Sequence, residues 1–146
     1  MQVPHNSFVL VADGQKMLFF RNEGDNDFPN LTVETKEVQD NPADRDQKTD
    51  GPGRSVNSVG SARSAMEEVD FHQQEEDRFA ADAAQMLRER ALQNNFESLI
   101  VVAPPRTLGE LRKHYHKEVE KRLIGEIAKD LTGHPVDEIE RIIAAS

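Results

Sequence analysis

The fold of this chain is decided by residues 100–114, which read Ile100-Val-Val-Ala-Pro-Pro-Arg-Thr-Leu-Gly-Glu-Leu-Arg-Lys-His114. The apolar run over residues 98–103 is typical of a fully buried β-strand, and the proline pair after it stops the strand. Thr107 and Glu110 have the spacing of a capping box, so they predict the start of a helix. We expect that helix to cover residues 107–121.

The remaining C-terminal residues contain one ambiguous segment and one clear helix. Leu123, Ile127 and Leu131 recur at four-residue spacing, which by itself fits a helix over residues 122–130. Pro135 suits a helix start, because its fixed φ angle matches the first helical turn. The expected buried face of the last helix consists of Val136, Ile139, Ile142 and Ile143.

The N-terminal residues predict three strands. Two apolar runs, residues 8–11 and 17–20, flank Asp13-Gly14. This is a strong hairpin signal, because Asp and Gly tolerate the positive φ angles of a tight turn. Residues 31–38 alternate apolar or β-branched with charged side chains, which favours a third strand with one wet face.

A polar stretch and a long helix occupy the middle of the chain. Residues 39–65 are rich in Asp, Asn, Gly, Pro and Ser. They cannot bury enough surface to offset the entropy of ordering, so we expect a mobile loop, either functional or a tolerated insertion. The helix should begin at Ala62 or later and end near Gln93. Its apolar stripe consists of Phe79, Ala83, Met86, Leu87 and Ala91.

The composition excludes several classes of function. The chain has 146 residues, a formal net charge of −9 and no Cys. Without Cys, disulfides, thiolate zinc sites and Cys nucleophiles are excluded. The negative charge opposes binding to a nucleic-acid backbone, except at a local basic patch. The first apolar run is interrupted by Asp13, so it is too short for a signal-peptide core or a membrane span.

Three segments carry a family signature. They read Val9-Leu-Val-Ala-Asp-Gly14, Leu18-Phe-Phe-Arg-Asn-Glu-Gly24 and Ala103-Pro-Pro-Arg-Thr-Leu-Gly-Glu-Leu-Arg112. With them, the chain from about Ser7 to Ile143 resembles the bacterial host attachment proteins (proteins required for attachment to host cells). That family in turn looks like the middle domain of eukaryotic peptide-chain release factors.

The resemblance implies both a fold and a function. The fold is a single α/β domain over residues 1–146, with three layers, a mixed sheet of ribonuclease-H-like topology and a strand at residues 122–130. The family name implies a role in attachment to host cells. Because no secretion signal is visible, we expect that role to be indirect and cytoplasmic. Because no catalytic set is present, we expect a non-catalytic interaction protein that binds an unknown protein partner. The alternative is a release-factor-like protein associated with the ribosome or tRNA and acting on peptidyl-tRNA.

The first candidate site lies before the long helix. Release-factor middle domains carry a Gly-Gly-Gln tripeptide there, at the tip of a mobile loop. This chain has Gly51-Pro-Gly53-Arg54 instead, and it lacks the glutamine. Carrying over hydrolysis would require that residue, so we expect no catalytic residues. We expect at most a binding role for Gly51, Gly53, Arg54 and Arg63, and a flexible Gly/Ser loop is the simpler interpretation.

The second candidate site is a basic segment that could contact phosphate. If residues 107–121 form one helix, four of its side chains share one side: Arg112, Lys113, His116 and Lys117. Arg106 precedes them. Interleaved acids at pairing distance favour a solvated, charge-paired helix as the simpler interpretation. Neither this segment nor the histidines have the ligand spacing of a metal site, and no cofactor motif is present. Oligomeric state is left open.

Overall fold

The computed structural model describes the backbone of residues 1–38 and 61–146, and the side chains of residues 1–34 and 73–146. The strands are β1 (Phe8–Ala12), β2 (Lys16–Asn22), β3 (Leu31–Val38), β4 (Leu99–Ala103) and β5 (Leu123–Ala128). The helices are α1 (Ser61–Leu92), α2 (Pro105–His114), α3 (Lys117–Arg122) and α4 (Val136–Ala145).

The five strands form one mixed sheet in the order β3-β2-β1-β4-β5. β1, β2 and β3 pair antiparallel, whereas β4 pairs parallel with both β1 and β5. In the parallel pair at the centre, Phe8 lies opposite Leu99 and Val11 opposite Val102. β1 and β4 are buried along their whole length, as the continuous apolar runs predicted.

Helices cover both faces of the sheet, so the domain has three layers. On one face, side chains of α1, α2 and α3 pack on Phe8, Phe19 and Val101. On the other face, Ile139 and Ile143 of α4 pack on Val9, Ile100 and neighbouring side chains. The α/β fold with a mixed sheet that the resemblance implied is therefore confirmed.

The long helix is confirmed, with an earlier start than predicted. α1 begins at Ser61, so residues 61–65 are helical and not part of the loop. Its 32 residues span about 48 Å, against about 17 Å for a five-residue strand. The buried side chains described on α1 begin at Phe79 and follow the predicted stripe. The rest of the predicted loop, residues 39–60, lies outside the described residues.

Two predictions about residues 107–121 are wrong. The helix begins at Pro105, with Pro104 as N-cap and no side-chain cap, so Thr107 and Glu110 do not form a capping box. Proline at the first helical position starts the helix earlier, because its φ angle is already helical. The helix also ends at His114, since Tyr115 is extended. His116 then caps α3 by accepting a hydrogen bond from the Glu118 amide at 3.0 Å.

The last two elements agree with the sequence prediction. Residues 123–128 form β5, which is the strand that the resemblance implied and not the helix that the spacing also allowed. α4 follows Pro135 and buries Ile139 and Ile143. The first hairpin has no open edge, because β2 pairs with β3 and β1 with β4; the edge strands are β3 and β5.

Candidate functional site

A small cleft lies where the parallel strands β1 and β4 end. Gly14 follows β1, while Arg106 and Thr107 follow β4 and open α2. Open α/β sheets bind ligands at the carboxyl ends of their strands, where the chain leaves neighbouring strands in different directions. The opposite wall is α1, and the cleft is shallow: the centres of water-sized molecules have about 10 Å³ in it, which is room for about one water molecule. The α1 and α2 residues that complete the lining are Gln73, Glu76, Asp77, Ala80 and Glu110.

The walls of this cleft are mainly acidic. Glu76 packs against Gly14 so closely that a Cβ at position 14 would lie 2.9 Å from Glu76 Cδ. Asp77 accepts a hydrogen bond from Gln73 Nε2 at 2.7 Å. Glu110 pairs with Lys113 at 2.9 Å, and this hydrogen bond lowers the pKa of the Glu110 carboxyl. The cleft can accept polar groups, but the described residues bring no nucleophile and base together in it.

Beside the cleft, one threonine connects the β1–β2 turn to the segment after β5. Thr132 Oγ1 lies 2.8 Å from Asp13 Oδ2 and 2.9 Å from Asp130 Oδ1. Asp13 Oδ1 also accepts from the amides of Gln15 and Lys16, at 2.7 Å each. A hydroxyl has a single proton to donate, so it serves one carboxylate at a time. These contacts hold the rim of the sheet together and present no free reactive group.

The basic segment is largely neutralised by its own acids. Arg112 forms a forked pair with Glu126 of β5, with Nη2 and Nε at 3.1 and 3.2 Å from Oε1. Lys113 is held by Glu110, and His116 is used as the cap of α3. Because the helix breaks at Tyr115, these side chains do not share one continuous helical side. The simpler interpretation of a charge-paired surface fits most of this segment.

Two predicted cations are left available. Arg106 and Lys117 are exposed, and neither makes a hydrogen bond or ion pair with any residue that the structure describes. They stand near the two ends of α2, whose ten residues span about 15 Å. A ligand that touched both would therefore be extended along the helix.

The other candidate residues cannot be placed. Gly51, Gly53 and Arg54 lie outside the described residues, and Arg63 lies in the first turn of α1, where the structure describes the backbone alone. Within the part of the chain whose side chains are described, no group of three or more His, Cys, Asp or Glu side chains could hold a metal ion. In that same part, no helix is long and apolar enough to cross a membrane.

The mixed sheet, the long helix before β4 and the cleft at the strand ends define a release-factor-like α/β domain. The chain matches the family described as "Bacterial archaeo-eukaryotic release factor family 12" over residues 6–143, and it belongs to that family. The release-factor part of the resemblance is thus confirmed, whereas the host-attachment name receives no support.

A curated relative adds little about function. An uncharacterized protein of Rickettsia prowazekii (strain Madrid E) is 40% identical over 55 residues. The match covers 38% of this chain and 37% of the relative. The chain thus aligns with well under half of that protein's length.

Sequence reasoning missed most of the cleft. It identified Arg106, but not Gly14, Glu76 or Asp77, because the lining of the cleft comes from three separate parts of the chain. One signal was present: Gly14 and Arg106 each follow an apolar run that forms a buried strand. Had those strands been recognised as parallel neighbours, the carboxyl-end rule would have pointed to both.

Proposed function

We propose that this chain is a release-factor-like protein that binds tRNA or the ribosome near peptidyl-tRNA. Its membership of the release-factor family over residues 6–143 carries this proposal. A role in attachment to host cells is not part of it, since the family match gives no reason for one.

The start of α2 supports a contact with phosphate. Among the described residues, no side chain caps this helix, so the amides that follow Pro105 keep open donor positions, and a helix N-terminus favours negative charge. Arg106, in the first turn, adds an exposed cation. Lys117 opens α3 and offers a second one, so a nucleic-acid backbone running along α2 would meet both.

The acidic walls determine where the phosphate would lie. Glu76 and Asp77 would repel a phosphate placed deep in the cleft, so the backbone belongs at its rim, beside Arg106. Arg54 and Arg63 would add contacts from the segment before and at the start of α1. The missing glutamine makes this a binding function without hydrolysis of the Gly-Gly-Gln type.

Binding of purified tRNA, measured by filter binding over a series of salt concentrations, tests the proposal. Each phosphate contact contributes about 0.7 to 0.9 to the slope of log K against log salt. Arg106→Ala with Lys117→Ala should therefore lower the slope by about 1.4 to 1.8. The matched control is Arg141→Ala, an exposed arginine on the opposite face of the sheet. An unchanged slope in the double variant, or an equal loss in the control, would contradict the proposal.

A further inference from the structure

The loop between β2 and β3 exposes a large aromatic side chain. Phe28 is 79% exposed, whereas the next most exposed large apolar side chain, Val33, reaches 54% among those that the structure describes. Burying such a side chain is strongly favourable in water, so a loop that keeps it outside forgoes a large stabilisation. Scattered apolar side chains are common on surfaces. Exposure alone therefore does not identify a binding site, and whether Phe28 forms one depends on the residues around it.

The loop has little freedom to fold Phe28 inward. Buried Asn22 accepts hydrogen bonds from the amides of Gly24 and Asn30 at 2.9 and 2.8 Å. Asp25 accepts one from the Phe28 amide at 2.7 Å, while the Phe28 carbonyl accepts from the Asp25 amide. The Phe28 carbonyl also lies so close to Gly24 that a Cβ there would approach it to 2.2 Å. The backbone that carries Phe28 is therefore held in place, so binding would cost little further ordering of the loop backbone.

The charges around Phe28 select the kind of partner. Glu23, Asp25 and Asp27 are exposed on the same loop, and they repel the phosphates of a nucleic acid. A nucleobase stacked on Phe28 would bring its phosphates towards them. A protein surface with an apolar pocket and a rim of Lys or Arg suits both the aromatic ring and the carboxylates.

We propose that the loop over residues 23–30 is a docking surface on which Phe28 enters an apolar, basic-rimmed pocket of a protein in the ribosome-bound state. This inference rests on the proposed function, which places the partner protein on the ribosome. It adds a contact with protein, away from the phosphate contacts of Arg106 and Lys117.

Photocrosslinking on purified ribosomes tests the docking surface. Phe28 is replaced by p-benzoylphenylalanine, and the matched control carries the same replacement at Leu92, which is 52% exposed at the end of α1. We expect a crosslink from position 28 to a basic protein, at a yield well above that from position 92. Phe28→Ala should weaken pelleting with ribosomes by about tenfold or more, with the thermal unfolding midpoint unchanged.

The outcomes separate the two proposals. Wild-type protein that does not pellet with ribosomes would overturn the proposed function, and the docking surface with it. If the wild type pellets but position 28 crosslinks to ribosomal RNA, or to nothing, the docking surface alone is overturned. Equal affinity of Phe28→Ala and the wild type would also overturn it.

Discussion

Replacing Asn22 should cost more stability than its place at the end of a strand suggests. The side chain is 0% exposed. Its Oδ1 accepts from the Gly24 and Asn30 amides. Its Nδ2 lies 2.8 Å from the Val3 carbonyl and 3.3 Å from the Pro4 and Asp25 carbonyls, and its two N–H groups are shared among these three acceptors. It thereby connects the N-terminal segment, β2 and the loop that leads to β3.

The magnitude follows from the three shortest of these bonds, at 2.8 to 2.9 Å. A net contribution of about 1 kcal/mol each gives a loss of about 3 kcal/mol for Asn22→Ala, and buried backbone groups left without partners would add to it. Urea denaturation measures this loss directly. Asn26→Ala, at an exposed position of the same loop, is the control and should cost less than about 0.5 kcal/mol.

Asn22→Asp refines the test, because it keeps the acceptor oxygen and replaces the NH₂ donor by a second oxygen. At neutral pH its carboxylate would face the Val3, Pro4 and Asp25 carbonyls, so it should cost more than Asn22→Ala. Burial and these carbonyls should raise the pKa of the new carboxyl above its unfolded value. The variant should then be most stable, relative to wild type, below the unfolded pKa of about 3.9, and lose that stability as the pH rises through the folded pKa. A loss below about 1 kcal/mol for Asn22→Ala, or a pH-independent Asn22→Asp, would refute the reasoning.

Three further predictions concern the core. Burial, with Glu126 nearby, raises the pKa of Tyr115 well above its ordinary value. As this is the only tyrosine in a chain without Trp, ultraviolet titration of tyrosinate isolates it. The contribution of the neutral Tyr115 side chain to the free energy of unfolding should be complete below a pH of about 10 and decline as the pH rises from there. Titration of Tyr115 at the ordinary pKa of tyrosine would contradict this. Ser7→Ala should leave the unfolding free energy unchanged or raise it by up to about 1 kcal/mol, because the buried Ser7 hydroxyl has no hydrogen-bond partner among the described residues. A loss of that size in urea denaturation would contradict this. Leu87, at 0% exposure, lies on the apolar stripe of α1, so Leu87→Ala should lower the free energy of unfolding by about 2–5 kcal/mol. Leu92→Ala should lower it by less than about 0.5 kcal/mol. Equal losses in the two variants would show that the buried face of α1 is misassigned.

Most of the fold was predictable because its signals are local. The two apolar runs around Asp13-Gly14 predict the hairpin, and Pro135 before an apolar stripe predicts α4. The turn itself differs from the expectation: neither Asp13 nor Gly14 has a positive φ angle, and Asp13 Oδ1 instead accepts from the Gln15 and Lys16 amides. The break at Tyr115 was not predictable in this way. The charged residues on either side favour a helix, whereas at the break Tyr115 is extended and His116 caps α3.

The candidate site was less predictable, since its geometry depends on contacts between distant residues. The basic segment suggested a continuous cationic face, but Glu126, fourteen residues after Arg112, neutralises it from a neighbouring strand. The acidic wall of the cleft comes from α1 and meets Arg106 through the packing of α1 on α2. Sequence spacing cannot show such pairings. Arg106 and Lys117, which have no ion-pair partner among the described residues, therefore could not be distinguished from neighbouring basic side chains that do.

The central claim is tested most directly by sedimentation of the purified chain with ribosomes and tRNA at low and high salt. The proposed function predicts co-migration at low salt that falls steeply as salt is added, because phosphate contacts release counterions. It also predicts weaker co-migration when Arg106 and Lys117 are both replaced by Ala. If the chain does not co-migrate with ribosomes or tRNA at low or at high salt, the proposed release-factor-like role is contradicted, and a different partner would have to be sought.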